Sequence, residues 1–259
     1  MDLISVIKHI LKSRRTVAPC QLVNIGNTDP LCPYCESNLD KMPGRKIKCP
    51  SCDEFIYVRT RPSDKKKIII KEDQILMVEE QWAIANGVHE QFLAERKEYN
   101  AERVLLTNKF GKEPSKNDIK WSLLNKGLLK HAQNYQWGLY RNSRLSMGDI
   151  LKAESKEIEA LETYFEVCYI DLNGPNNCGI LDPETLKEYP PFNPKDAFLA
   201  PGVIRYIDKI VRRHGITQVQ AEKRFFKVAE RTQKSLKLPV MPERAWKTLK
   251  NEIFGMQET

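Results

Sequence analysis

The sequence predicts a mainly α protein: a small N-terminal β module followed by an all-α helical-hairpin body. Three observations carry that prediction. Two Cys-Pro-x-Cys segments, Cys32-Pro33-Tyr34-Cys35 and Cys49-Pro50-Ser51-Cys52, stand near the N-terminus. The best strand pattern of the chain, Phe55 to Arg61, leaves the second of them. From residue 73 onward the apolar positions switch to the period of a helix, about 3.6 residues. With 259 residues the chain has room for one small module and one larger core. The organisation read from it is an N-terminal helix and loop over 1–29, a cysteine module with a basic strand over 30–71, and a helical body over 72–259.

In order along the chain, Leu3, Val6, Ile7, Ile10 and Leu11 define one apolar face of a helix over 2–13, with Lys8, Lys12, Arg14 and Arg15 opposite. It lacks an aromatic anchor and is expected to pack on the protein and not on a membrane. The segment Met1–Ile7 has no basic n-region, so no signal peptide is expected. No apolar run approaches the roughly 20 residues of a membrane span. Pro19, Gly26, Asn27 and Pro30 mark a loop into the first cysteine pair. Met42-Pro43-Gly44-Arg45 supplies a turn, and Lys46-Ile47-Lys48 leads to the second pair. In the following strand Phe55, Tyr57, Arg59 and Arg61 alternate with Ile56, Val58 and Thr60, and Ile68-Ile69-Ile70 offers a further strand.

The helical body opens with Asp73 as N-cap of a helix through Trp82 and Ile84, broken at Gly87. A longer helix over 88–109 ends at Gly111. Ser115 and Asp118 read as a capping box for a helix over 116–133. Helices over 135–153 and 155–171 follow, and Asn173-Gly174-Pro175-Asn176-Asn177 stops the second. A Pro-rich connector over 178–194 holds one helical turn after Asp182-Pro183. The last three helices span 195–213, 218–236 with Thr217 as cap, and 242–254 with Pro242 in the first turn.

The two cysteine pairs carry the only chemistry with a firm spacing. Each pair sets two thiolates on one tight turn, and thirteen residues between the pairs allow a short hairpin. Four soft anionic sulfurs suit tetrahedral Zn2+ and leave no open coordination position. The predicted ligands are therefore Cys32, Cys35, Cys49 and Cys52, holding one structural Zn2+. Cys20, Cys168 and Cys178 form no disulfide pattern, and intact thiolates point to a reducing cytoplasm. Cys20 is read as a buried side chain, with a spare ligand as the alternative.

Residues 30–61 resemble the zinc-ribbon superfamily, whose members carry paired CPxC knuckles on a small sheet and often serve in transcription, replication or RNA handling. That family commonly has glycine after the second cysteine of each knuckle; Glu36 and Asp53 stand there in this chain. The stretch 137–177 is similar to a tetratricopeptide repeat. The similarity rests on Met147-Gly148, on Ala160 to Val167 and on Ile170-Asp171-Leu172-Asn173. It departs at Leu172, where the family has proline, and no second copy recurs at a fixed period. An irregular helical bundle is the other reading of this region.

Net charge is +8, and residues 41–71 carry +7 of it, ten cations against Asp53, Glu54 and Asp64. Cations with interleaved aromatics are the footprint of a phosphate-binding surface. The candidate nucleic-acid contacts are Lys46, Lys48, Phe55, Tyr57, Arg59, Arg61, Lys65, Lys66 and Lys67, with Phe55 or Tyr57 for stacking. Enzyme motifs are lacking. His9, His89, His131 and His214 are dispersed, His89-Glu90 is followed at position 93 by leucine and not by a second ligand, and no phosphate loop or G-x-S-x-G elbow occurs. Trp82, Trp121, Trp137 and Trp246 fall on apolar faces.

The expectation is a non-enzymatic protein whose ribbon touches nucleic acid and whose helical body meets a protein partner. The alternative is a protein adaptor, or an inhibitor or subunit of a larger machine of mobile-element type, in which the ribbon is purely structural.

Overall fold

The computed structural model describes residues 22–177, 179 and 182–255. The predicted helix over 2–13 and Cys20 lie outside the described residues. The chain divides into two compact units, Met1–Glu98 and Tyr99–Thr259.

The first unit holds a three-stranded antiparallel sheet in the order β1-β2-β3, with β1 Ile47–Lys48, β2 Phe55–Thr60 and β3 Lys67–Ile70. Lys48 pairs with Phe55, and Thr60 with Lys67. Asn27 extends the sheet beyond β3 through paired backbone hydrogen bonds with Ile69 of 3.0 and 2.9 Å. Gly26 permits that approach: φ is +76°, and a Cβ there would come within 2.6 Å of Ile70 Cγ2. The strand period of two sorts the sheet into two faces. Ile56 and Ile69 pack with Cys32, Leu39 and Cys49. Tyr57, Ile68 and Ile70 pack with Val78, Ile75 and Trp82 of helix α1, Ile75–Ala85.

That second contact changes the expected organisation. The composition shift at residue 72 suggests a boundary there, but α1 belongs with the ribbon because its apolar side covers the sheet. The division falls instead within α2, His89–Phe110. The expected Asp73 cap is also displaced: the N-cap is Gln74, whose side chain accepts from the Lys71 amide at 3.0 Å.

The second unit contains α3 Lys116–Gln133, α4 Trp137–Ala153, α5 Glu157–Asp171, α6 Pro183–Glu188, α7 Pro201–Arg213, α8 Gln218–Leu236 and α9 Pro242–Phe254. The capping boxes at Ser115/Asp118 and Thr217/Gln220 both form. The helix expected over 195–213 starts later. A 3-10 turn occupies Pro194–Asp196, and Pro201, without an amide hydrogen, takes the first turn of α7.

Helix α5 is the centre of this unit. Eleven of its fifteen residues are buried, and α4, α7, α8 and α9 pack around it. Phe165, Phe225 and Trp246 stack edge-on and tilted in the core, at centroid distances of 5.3 to 6.3 Å. Gly148 of α4 meets the Tyr164 ring closely; a Cβ there would lie 2.8 Å from Tyr164 Cε1. The tetratricopeptide resemblance of this stretch is not confirmed by the packing. A helix enclosed by four others is the core of a globular bundle, whereas repeat helices stack along one direction.

Two polar ties fix the end of α5. Asp171 takes a bidentate grip from Arg141, both bonds 2.6 Å and both side chains buried. Asn173 donates to Tyr169 O and accepts from Val240 N, each at 2.7 Å, while Tyr169 donates to Val240 O. Among the described residues no helix is long and apolar enough to cross a membrane.

Candidate metal centre

Both cysteine knuckles have the same backbone. In the first, the Glu36 amide donates to Cys32 O and the Cys32 amide to Ser37 O, each at 2.9 Å. In the second, Asp53 donates to Cys49 O and Cys49 to Glu54 O, again at 2.9 Å. The closing residues Glu36 and Asp53 sit in the left-handed region, at φ 61° and 58°. These are the positions where the zinc-ribbon family carries glycine. The turn geometry is kept, at the cost of the left-handed conformation for a side chain with a Cβ.

The knuckles face one another so that their sulfurs interleave. Cys32 Sγ is 3.8 Å from Cys52 Sγ, and Cys35 Sγ is 3.7 Å from Cys49 Sγ. All four sulfurs lie within 4.8 Å of one another. A disulfide requires about 2.05 Å, so these are not disulfides. A tetrahedron with metal–sulfur bonds of about 2.3 Å has edges of about 3.8 Å. The four thiols therefore fit one tetrahedral ion, and among the described residues no fifth ligand joins them. Cys32 and Cys49 are buried on the Ile56/Ile69 face, which shields the site.

A contributor missed in the sequence is Ser37. Its hydroxyl lies 3.2 Å from Cys35 Sγ and 3.5 Å from Cys49 Sγ. Together with the Ser51 amide, 3.4 Å from Cys49 Sγ, it is placed to support thiolate charge. The Ser37 contact holds the Cys49 thiol down at about 6 and lowers Cys35 as well. Cys52, although the Glu54 amide favours its thiolate, is pushed up to about 12 by burial and the neighbouring sulfurs. Four thiolates at this spacing need a cation to be ionised together. The sequence signal for Ser37 is a hydroxyl two positions after the second cysteine of a knuckle.

A third turn repeats the pattern without cysteine. In Arg61-Pro62-Ser63-Asp64-Lys65-Lys66 the Lys65 amide donates to Arg61 O at 2.9 Å and the Arg61 amide to Lys66 O at 2.8 Å. Lys65 has φ 59°, and Pro62 stands where Pro33 and Pro50 stand. Arg61 and Asp64 occupy the two cysteine places and close the turn by a bidentate pair, 3.0 and 2.6 Å. An ion pair thus closes this turn at the places where the knuckles carry sulfurs.

That turn corrects part of the expected nucleic-acid surface. Arg61 is turned inward onto Asp64, with its side chain only 12% exposed. Tyr57 is buried under α1, and Arg59 is half-buried with its guanidinium on Val58 O at 2.9 Å. The alternation that puts these three on one face puts them on the face α1 covers. The remaining residues are exposed in two groups. At the start of β2, Lys46 Nζ sits 3.9 Å over the exposed Phe55 ring, and Lys48 lies 5.4 Å from it and pairs with Asp53 at 2.8 Å. At the far end, roughly 20 Å along the strand, Lys65 lies 4.0 Å over Trp82, and Lys66 and Lys67 are exposed beside it.

The described histidines serve as structural partners: His89 with Glu80, His131 with Gln136 and His214 with Glu157. Comparison with family models, with curated proteins and with solved structures finds no match to this chain.

Proposed function

We propose that the protein is a non-enzymatic, cytoplasmic zinc-ribbon protein that binds nucleic acid through the exposed cations at the two ends of β2. The observation that carries the reading is the four-sulfur cluster at tetrahedral spacing, set in a sheet flanked by Lys46, Lys48 and Phe55 on one side and Lys65, Lys66 and Lys67 on the other. Zinc is the ion these donors suit, since an all-thiolate tetrahedral set without an open position is a structural site. Its part is to fix the knuckles. Phosphate contact falls to the lysines, and Phe55 is the one ring of the set exposed for a base.

Elemental analysis of purified protein is expected to give one zinc per chain. Titration of labelled oligonucleotides at low salt is expected to show binding that weakens with salt. Lys46→Gln with Lys66→Gln should flatten the slope of log affinity against log salt by about one to two. Flat isotherms for both single- and double-stranded probes would refute the nucleic-acid reading. The adaptor is then the second reading; Val104, Leu105 and Phe110, exposed along α2, favour it.

A further inference from the structure

The second unit carries its own basic surface, hidden in the sequence by compensation. Residues 201–237 hold ten cations against Asp208, Glu222 and Glu230, a net +7, while the rest of the unit, residues 99–200 and 238–259, sums to −1. These 37 residues are α7, a four-residue turn, α8 and its C-cap Lys237. Gly215, at φ +59°, turns the chain, and Thr217 caps α8.

The cations of α8 are not scattered. Ala221, Phe225, Val228, Ala229 and Thr232 face the core. At about 100° per residue, Lys223, Arg224, Lys227, Arg231 and Lys234 fall in one stripe, roughly 100° wide and about 16 Å long. At its head a groove of about 630 Å3 opens between His214, Gln220, Lys223 and Lys227, with Ile158, Ile216 and the Glu162 carboxylate, which is paired with Arg224 and Lys227, in its wall.

Carboxylates facing this surface come from α5. Glu157 binds Arg213 and His214, Glu162 binds Arg224 and Lys227, and Glu166 binds Arg144 and Arg231. Counting these three glutamates with the segment still leaves +4. Lys223 and Lys234 are exposed and make no ion pair among the described residues, nor do Glu222 and Glu230 of the same helix. A helix face made only for solubility pairs its charges at three or four residues' spacing; here Glu230 stands at the edge of the stripe, three residues after Lys227 and four before Lys234, and pairs with neither.

We propose that the α8 stripe, with the groove at its head, binds the phosphodiester backbone of nucleic acid. An acidic protein is the competing occupant, and the surface argues against it. Protein interfaces need buried aromatic or aliphatic anchors. Within 201–237 the sole exposed large hydrophobic residue among those described is Val219. Backbone binding needs only a line of cations. The proposal stands independently of the ribbon reading, since the residues are in a different unit.

The test uses the full chain with Lys223→Gln, Lys227→Gln and Lys234→Gln combined. All three are exposed, so the helix content and melting temperature should match the parent. Fluorescence anisotropy is read with labelled DNA duplex, single-stranded DNA and RNA duplex between about 50 and 200 mM salt. The triple variant should bind at least about tenfold more weakly at the low-salt end, and for DNA duplex its salt slope should be shallower by about 2.7. The two duplexes and the single strand report which backbone is preferred. A companion variant, Lys46→Gln with Lys48→Gln and Lys66→Gln, separates the two surfaces. If only the ribbon reading fails, the companion binds like the parent and the triple variant does not. If the triple variant keeps the parent's affinity and slope, or the parent binds none of the three probes, the proposal is wrong. Equal affinity for labelled polyglutamate would hand the stripe to an acidic protein and would also overturn it.

Discussion

Cys49 is the most heavily supported of the four candidate ligands, because Cys35, the Ser37 hydroxyl and the Ser51 amide all reach its sulfur. Cys49→Ser removes the ligand at the centre of that set. Structural zinc contributes on the order of 10 kcal/mol to small modules, so the variant should bind far less than one equivalent of zinc. It should lose the amide signals of the two knuckles and of β1, while those of the β2–β3 hairpin, held by Arg61–Asp64 and by the packing on α1, and those of the second unit remain. Asp64 responds to acid instead. Arg61 holds its carboxyl down at about 2, helped by the Lys66 amide. Its contribution is full above the unfolded carboxylate value of about 3.9 and is lost as pH falls through about 2. The Lys66 amide, 3.1 Å from Asp64 Oδ1, should report that titration by NMR, and Arg61→Ala should return the midpoint to the ordinary range. At the end of α5, Arg141→Ala leaves Asp171 buried and unpaired, which costs about 3–5 kcal/mol and is measurable by denaturant melts. The four-cysteine cluster was legible because knuckle spacing is local. The inward turn of Arg61 was not, because a charge count does not see that Asp64, three residues on, closes a turn.

At the scale of elements, Gly148 sets the distance between α4 and α5. Tyr164 cannot yield, since it is fully buried and its hydroxyl donates to Asp149 at 2.7 Å. Gly148→Ala should therefore destabilise the second unit by about 1–3 kcal/mol despite the better helix propensity of alanine. Thr217→Ala, which removes the α8 cap, should cost about 1 kcal/mol; both are read from thermal or denaturant midpoints. The helices at 116–133, 218–236 and 242–254 were legible to the residue because their start signals are chemical: Ser115 with Asp118, Thr217 with Gln220, and Pro242. The α7 start was missed where a second proline, Pro201, overrides the apolar period. The alternation in β2 correctly separated two faces of the strand. It could not say that both faces are covered, because the helix that packs on Tyr57 comes later in the chain.

For the molecule as a whole, the division near residue 98 has a direct consequence for fragments. A chain starting at residue 72 keeps α1 but exposes Ile75, Val78 and Trp82, which pack on the sheet in the intact protein. A fragment of residues 99–259 keeps the whole α5-centred core. The shorter fragment should melt in a single transition with strong helical circular dichroism, and the longer one should show added surface hydrophobicity by dye binding. An unfolded shorter fragment would mean that the core depends on the first unit. Charge was legible as a total and misleading as a map, because the acidic stretch over 72–98 masks the +7 of α7 and α8. Lastly, the turn closed by Arg61 and Asp64 gives the first unit a hinge-pin that no chelator or oxidant can draw. When the ion is lost, the β2–β3 hairpin remains closed at this end and keeps half of the site's wall standing. Reloading then completes a half-built vessel, so metal capture should be faster than for a ribbon that must condense from coil, and an arginine-to-alanine change at position 61 should slow it.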